Sequence, residues 1–188
     1  MPDVSNPPIS NFKHDPSCSP FAVSQAEYIA SQLSPSYQNL GTGAIVFDNP
    51  RSSDRRMLLV QRAATDSMPG CWEVPGGGVD DDDESILHAV ARELWEEAGL
   101  TAVNIGPLIG KPERFKSRSG KQICKFNFMV EAEGAEGAMV VKLDPTEHQK
   151  YLWISKEEVR QRKAGDLELV FTTAHTEALV LEAFSIPS

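Results

Sequence analysis

The sequence has few cysteines and no long apolar run, and both shortages exclude classes of protein. Its three cysteines, Cys18, Cys71 and Cys124, form neither a Cys-x-x-Cys pair nor a cluster with histidine. We therefore expect neither a disulfide framework nor a structural zinc site. No apolar run reaches the roughly 18 residues that a membrane helix needs, and the first residues are polar and rich in proline, unlike a secretory signal. These absences predict a cytoplasmic protein that does not enter a membrane.

Positive charge is also scarce. The chain has 18 Lys and Arg against 27 Asp and Glu, a formal net charge of −9. Binding to a nucleic-acid backbone needs clustered lysine and arginine, so we expect no nucleic-acid duplex as a partner. Between residues 80 and 97, eight carboxylates stand against the single base Arg92. That local excess of negative charge suggests a bound cation.

The length of 188 residues, 40% of them apolar, fits one domain with an appended segment. Residues 1–36 are rich in proline and serine and are predicted to be an N-terminal extension, followed by a domain over 37–188. Ser24 and Glu27 have the spacing of a capping box, which predicts a short helix at about 24–33. That helix could pack on the domain, extend a dimer interface or stay partly disordered, and the protein is expected to be a monomer or a homodimer.

Within the domain, apolar runs and helical periodicity alternate. A first long helix is predicted at about 82–98, with Gly99 as its C-cap. A short helix is predicted to begin at Ser155, and a terminal helix at 173–184. Strands are predicted at 44–47, 57–60, 72–74, 103–109, 123–130 and 152–154.

Three carboxylates of the first long helix carry the clearest chemical signal. Glu93, Glu96 and Glu97 fall on one helical face, where like charges destabilise a helix by roughly 0.2–0.5 kcal/mol per pair. A hard divalent cation such as Mg²⁺ would offset that repulsion, although a solvated acidic face is the simpler alternative. The glycines 76–78 favour the metal, because they let the backbone approach the same place. The acids at 80–83 are predicted to lie at the N-cap and in the first turn of this helix, where the helix dipole favours negative charge.

The segment Gly78-x5-Glu84-x7-Arg92-Glu93-Leu94-x-Glu96-Glu97-x-Gly99-Leu100 resembles the Nudix box at every fixed position. Segments around it, including Leu59-Val60-Gln61-Arg62 and Trp153-Ile154-Ser155, are similar to those of Nudix domains, so the resemblance covers about residues 39–163. It implies an α/β fold, an α/β/α sandwich with a mixed central sheet. It also implies an enzyme that hydrolyses a nucleoside diphosphate linked to another group.

The resemblance also assigns roles to residues. It implies that Glu93, Glu96, Glu97 and the Gly78 carbonyl bind Mg²⁺ or Mn²⁺, and that Arg92 fixes a neighbouring glutamate, above all Glu93. Glu84 is expected to hold the loop against the helix. The general base is left open between Glu147, which has the spacing of an extra carboxylate in some members, and one of Glu96 and Glu97.

Substrate contacts are harder to predict. Arg62 lies in the matching segment before the box, and Arg114 and Arg118 belong to a basic stretch that could grip phosphates or form a solvated hairpin tip. Phe115 could stack on a base or belong to the core. Marks of the subfamilies that cleave ADP-ribose, dinucleoside polyphosphates or NADH are missing, and a nucleoside triphosphate is the first choice by elimination. ADP-ribose or a nucleotide sugar, a diphosphoinositol phosphate, and a module that senses a nucleotide without cleaving it remain alternatives.

Overall fold

The computed structural model describes residues 11–33, 35–117, 119–135 and 139–187. Its helices are α1 (Gln25–Ala30), α2 (Ile86–Ala98), α3 (Lys156–Gln161) and α4 (Ala174–Ala183), with a 3₁₀ helix at Pro16–Phe21. Its strands are β1 (Lys13–His14), β2 (Asn39–Val46), β3 (Met57–Arg62), β4 (Trp72–Glu73), β5 (Ala102–Lys116), β6 (Gln122–Ala132), β7 (His148–Ile154), β8 (Lys163–Ala164) and β9 (Leu167–Glu168).

The strands form a mixed sheet arrangement. One sheet has the order β1-β5-β6-β2, in which β5 and β6 are antiparallel while β6 and β2 are parallel. A second sheet has the order β4-β3-β7 with antiparallel pairing. A bridge between Phe47 and Met57 joins β2 to β3. Strands β8 and β9 form a separate small hairpin.

Helices cover both faces of these sheets, which gives the expected α/β/α sandwich. Side chains along β2 alternate between two buried clusters: Ala44 and Val46 pack with α2, whereas Ile45 packs with α3 and α4. This alternation follows from the two-residue period of a strand.

Helix α2 begins later than the sequence predicted. Its N-cap is Ser85, whose hydroxyl accepts a hydrogen bond from the His88 amide, and its C-cap is Gly99 with φ of 66°. Only glycine adopts that left-handed conformation at little cost. The acids at 80–83 therefore precede the helix and its cap, and their expected place in the first turn was wrong.

Strand β5 is longer than predicted, because it continues to Lys116 through three register shifts against β6. Lys111, Arg114 and Lys116 consequently lie on the strand and not on a loop. Arg118, another residue of this basic stretch, lies outside the described residues.

The described part of the N-terminal segment packs against the core on the α2 side, the first of the three alternatives for its helix. Cys18 is buried in the α2 cluster, and Phe21 and Tyr28 pack against the same cluster. The Ser24 and Glu27 capping box is present at the start of α1. The Gln25 side chain accepts a hydrogen bond from the Leu40 amide at 2.6 Å. Residues 13–30 thus brace α2 and the start of β2.

Within the described part of the chain, no helix is both long enough and apolar enough to cross a membrane.

Candidate active site

A cleft of about 470 Å³ opens beside the glycine loop that precedes α2. Its walls come from β2, β3, β4, β5, β6, the 67–68 turn and the start of α4. The residues that line it include Arg62, Met68, Glu73, Gly76, Gly77, Gly78, Glu113, Phe115, Lys116, Ile123, Lys125, Thr172, Thr173 and Thr176.

Backbone hydrogen bonds fix the glycine loop against β2. The Thr42 amide donates to the Gly77 carbonyl and the Ala44 amide to the Pro75 carbonyl, each at 2.8 Å. Gly76 has φ of 147°, and a Cβ atom there would collide with the Thr42 carbonyl oxygen. Only glycine fits this position, since both the backbone conformation and the space exclude a side chain.

The side chains of Glu93 and Glu97, both on α2, contact this loop. The Gly76 amide donates a 2.6 Å hydrogen bond to the Glu97 carboxylate. A Cβ atom on Gly77 would lie 2.7 Å from an oxygen of Glu93, so the missing side chain leaves room for that carboxylate. The loop and the helix are therefore fitted to each other through the carboxylates.

The environment disfavours the charged forms of both glutamates. Burial raises the pKa of Glu93 to about 7, against the opposing effect of Arg92 and with additional repulsion from Glu96 and Glu147. Burial also raises the pKa of Glu97 well above its usual range; the Gly76 hydrogen bond opposes the rise, and repulsion from Glu93 and Glu73 adds to it. Negative charge is gathered here with too little positive charge from the protein to balance it.

Arg92 lies among the acids of the box. Its guanidinium donates to both carboxylate oxygens of Asp83, at 2.9 and 2.8 Å, and to the Gly78 carbonyl at 2.9 Å. The expected ion pair with Glu93 is present at 2.9 Å, and a second pair reaches Glu96 at 3.0 Å. The Gly78 carbonyl keeps a second lone pair, so its bond to Arg92 is compatible with the expected role as a metal ligand.

Glu84 does not hold the loop against the helix as expected. Its side chain is 82% exposed and lies 3.5 Å from His88 Nε2, its neighbour on the next turn. Asp83 has the contacts that were expected of Glu84, since its buried carboxylate joins the loop to Arg92 of α2.

A second group of possible ligands lies where β7 begins. Glu97, Glu147 and His148 each present a ligand atom within 4.8 Å of the other two. Glu147 thus lies close to the α2 glutamates, as its candidacy requires. His148 was missed because its burial breaks the pattern of β7, where the next three residues are exposed.

Buried ionisable side chains continue from His148 to β3. Arg62 pairs with Glu73 and Asp66 and donates to the Ser67 carbonyl at 2.7 Å. Burial raises the pKa of Glu73, but His148, Lys125 and Arg62 together hold it below its usual value. Because its guanidinium already bonds to these groups, Arg62 is placed to position Glu73 and the 66–67 turn.

The other predicted substrate residues divide between two faces of β5. Phe115 lines the cleft and is 40% exposed. Arg114 points to the opposite face, where its guanidinium lies 5.8 Å from the centre of the Tyr37 ring and interacts with Cys124. The structure does not bring Arg114 to the cleft. Lys116, which belongs to the basic stretch that could grip phosphates, supplies a cation there, and so does Lys125, which was not predicted.

A divalent cation fits this donor set. Glu93 and Glu97 are buried, close together and insufficiently neutralised by Arg92 and Lys125. Mg²⁺ and Mn²⁺ prefer carboxylate and carbonyl oxygens, and Glu96 and the Gly78 carbonyl lie at the solvent side of the same site. The expected metal ligands are therefore chemically suited to such an ion.

Comparisons with known proteins agree with this geometry. Residues 38–172 match the family model of the NUDIX domain. The chain is 33% identical over 132 residues to a CTP pyrophosphohydrolase of Escherichia coli (strain K12), covering 70% of this chain and 83% of that protein. It is 29% identical to an 8-oxo-dGDP phosphatase of Danio rerio over 68% of this chain, which is 36% of that protein's length.

A solved structure shares the architecture. The MutT protein from Methanosarcina mazei Go1 superposes with a TM-score of 0.56 at 26% identity, over 81% of this chain and 94% of that one. The family match covers well over half of the sequence and contains the glycine loop, α2 and β7. The chain therefore belongs to the Nudix hydrolases, a family of pyrophosphohydrolase enzymes.

Proposed function

We propose that the protein hydrolyses a phosphoanhydride bond in a nucleoside diphosphate derivative, with nucleoside triphosphates as the first substrate class. The observation that carries this proposal is the placement of Glu93 and Glu97 against the glycine loop, beside a cleft that holds Lys116 and Lys125. Carboxylates suited to a metal and cations suited to phosphate thus meet in one place.

Glu93, Glu96, Glu97 and the Gly78 carbonyl would hold Mg²⁺ or Mn²⁺. When bound, such an ion neutralises pyrophosphate oxygens and lowers the pKa of bound water. Arg92 fixes Glu93 and Glu96 through its ion pairs and Asp83 through a fork of two hydrogen bonds. Its role in the proposal is positioning, because a cation has no acceptor to offer a metal or a water proton.

The remaining groups would bind the substrate and accept a proton. Lys116 and Lys125 line the cleft and offer ammonium groups to phosphate oxygens, and Phe115 offers a ring face to a base. Glu147 is a candidate general base because it lies beside Glu97 while remaining exposed. Glu96 and Glu97 remain the alternatives, since a general base needs to be within hydrogen-bond reach of the attacking water.

The choice of a triphosphate draws on the resemblance to a CTP pyrophosphohydrolase over most of both chains. The resemblance to an 8-oxo-dGDP phosphatase makes nucleoside diphosphates a second class to be tested. We also propose that residues 37–188 form the hydrolase domain, that residues 1–36 extend it, and that the protein acts in the cytoplasm as a monomer or homodimer.

A substrate panel tests the proposal. CTP, the other nucleoside triphosphates, 8-oxo-dGDP, ADP-ribose, a nucleotide sugar and a diphosphoinositol phosphate are incubated with the protein and Mg²⁺, and phosphate, pyrophosphate and nucleoside monophosphate are measured. We expect release from a triphosphate, and strong loss in Glu96→Gln and Glu97→Gln. Glu157→Gln, an exposed change on α3, is the matched control. No product from any compound, or variants as fast as wild type, would contradict hydrolysis; binding without turnover would favour a nucleotide sensor.

A further inference from the structure

We propose that Glu97, Glu147 and His148 form a mixed oxygen and nitrogen site that binds a first-row transition-metal dication, such as Co²⁺ or Ni²⁺, in preference to Mg²⁺. The site shares Glu97 with the carboxylate set described above and therefore rests on the proposed function. What it adds is a nitrogen ligand, His148, and with it a different metal preference.

The three groups already converge. One ligand atom from each lies within 4.8 Å of the others, although they come from the last turn of α2, the turn before β7 and the first residue of β7. Atoms that bind one ion at roughly 2.0–2.2 Å lie at most about 4.4 Å apart, so these side chains would close around the ion when it binds. Glu147 is exposed whereas Glu97 and His148 are buried, so the site would be open to solvent on one side.

The state of His148 points to a ligand. The residue is 2% exposed, and neither ring nitrogen has a hydrogen-bond partner among the residues that the structure describes. Buried polar atoms without a hydrogen-bond partner are uncommon and call for an explanation. An imidazole beside two carboxylates has the chemistry of a metal ligand.

The surroundings would also orient the ring. Glu73 Oε1 lies 3.6 Å from His148 Nε2, slightly beyond hydrogen-bond reach, and the same oxygen is held by an ion pair with Arg62. Histidines that bind metals commonly donate their second ring N–H to a carboxylate, which fixes the ring and makes the ligand more basic. Glu73 is placed to accept that proton in the bound state.

The nitrogen donor determines the preferred ion. Mg²⁺ is bound through oxygens, while imidazole suits the later first-row metals, whose affinities rise from Mn²⁺ to Cu²⁺. Glu93, Glu96 and Gly78 offer oxygen only, so the two parts of the centre would differ in selectivity. His148 would be the residue responsible for that difference.

Calorimetric titration of the full chain with Co²⁺ and with Mg²⁺ tests the assignment in wild type, His148→Gln and the control His14→Gln. His14 is an exposed residue of β1, which pairs with β5 and not with the strands that carry the site. We expect His148→Gln to weaken Co²⁺ binding by at least about tenfold, the lower end of the loss seen on removing groups that merely support a ligand. Mg²⁺ affinity should stay unchanged, and His14→Gln should match wild type for both ions.

A proton NMR spectrum of the Co²⁺-loaded wild type gives a second measurement that needs no folded variant. A coordinated imidazole with a shielded ring N–H gives a strongly shifted resonance that is lost in D₂O, and we expect one in wild type and in His14→Gln. Absence of this resonance from wild type overturns the proposal, as does unchanged Co²⁺ affinity in a folded His148→Gln. Glu147→Gln, a change at an exposed side chain, should also weaken Co²⁺ binding if His148→Gln does not fold.

Mg²⁺-dependent nucleotide hydrolysis, measured on the same wild-type sample without Co²⁺, separates the two proposals. If nucleotides are hydrolysed but the shifted imidazole resonance is absent, the proposed function is retained and the mixed site is rejected. A nitrogen ligand without hydrolysis of any tested nucleotide retains the site and rejects the function.

Discussion

Two groups of carboxylates lie close together in the sequence, at 80–83 before α2 and at Glu93, Glu96 and Glu97 within it, and the protein neutralises them differently. Asp83 is buried, and Arg92 Nε and Nη2 each donate to one of its oxygens. Glu97 is also buried but receives a neutral hydrogen bond from the Gly76 amide, and its pKa is raised. Asp83 thus has an internal cation, whereas Glu97 is left short of one.

Carboxylates of equal charge can therefore serve either the fold or a bound cation. A carboxylate paired with arginine inside the fold stabilises it, because both partners are satisfied. A buried carboxylate without sufficient cationic partners costs stability unless a further cation binds. Glu93 and Glu96 are intermediate between these two cases, because a single nitrogen of Arg92, Nη1, donates to both of them.

The largest expected effect is on catalysis and follows from changing the poorly neutralised group. Glu97→Gln keeps the shape of the side chain and an acceptor for Gly76 but removes the charge that would hold the metal. We expect kcat to fall by at least about 100-fold, as when one electrostatic contact to a transition state is lost. Steady-state kinetics with saturating Mg²⁺ measure it. A fall of less than tenfold, in a protein that melts normally, would mean that Glu97 is not a metal ligand.

The second effect concerns stability and metal. A ligand that binds only the folded protein stabilises it by about 2.7 kcal/mol at a concentration of 100 Kd, which for a chain of this size corresponds to a rise of roughly 5–10 °C in Tm. Thermal melts with and without Mg²⁺ should show this rise in wild type and in Asp83→Asn, but not in Glu97→Gln. An equal rise in Glu97→Gln would mean that the metal binds elsewhere and that Glu97 does not need a further cation.

The third effect tests the internally paired group. Asp83→Asn removes the charge and one of the two acceptors that Arg92 uses, and hydrogen bonds to charged groups contribute about 1.5–3 kcal/mol. We expect the free energy of unfolding to fall by about 2 kcal/mol, measured by urea denaturation. Asp82→Asn, at an exposed position beside it, should change that energy by less than about 0.5 kcal/mol. Equal losses in the two variants would show that the two hydrogen bonds from Arg92 to Asp83 do not stabilise the folded protein.

The sequence predicts much of this region because local rules dominate there. The apolar stripe of α2, its Gly99 cap and the matched box follow from spacing alone, and the family assignment is confirmed. The roles of Glu93, Glu96, Glu97 and Gly78 as metal ligands stay predictions. The start of α2 could not be fixed, because aspartates at 80–83 and Ser85 are all good N-caps.

Other parts of the site depend on contacts between distant segments, which spacing does not reveal. Lys125 reaches the cleft through the pairing of β6 with β2 and β5, and His148 meets Glu73 through the pairing of β7 and β4 with β3. Arg114 and Phe115 are neighbours in sequence but face opposite sides of β5, so a basic stretch taken as one unit could not distinguish them.

The smallest expected effect is that of changing Glu84, which lies between the two groups of carboxylates in the sequence and is part of neither. Its side chain is 82% exposed and lies 3.5 Å from His88 in the first turn of α2, a pair that is ionic only when the histidine is protonated. Exposed pairs of this kind contribute little, because solvent screens them and ordering two side chains costs entropy. We expect Glu84→Gln to change the free energy of unfolding by less than about 0.5 kcal/mol in urea denaturation, and to leave kcat close to that of wild type. If stability is kept while kcat falls as far as in Glu97→Gln, Glu84 takes part in the reaction, and the division of the box carboxylates into paired and metal-binding groups would need a third class.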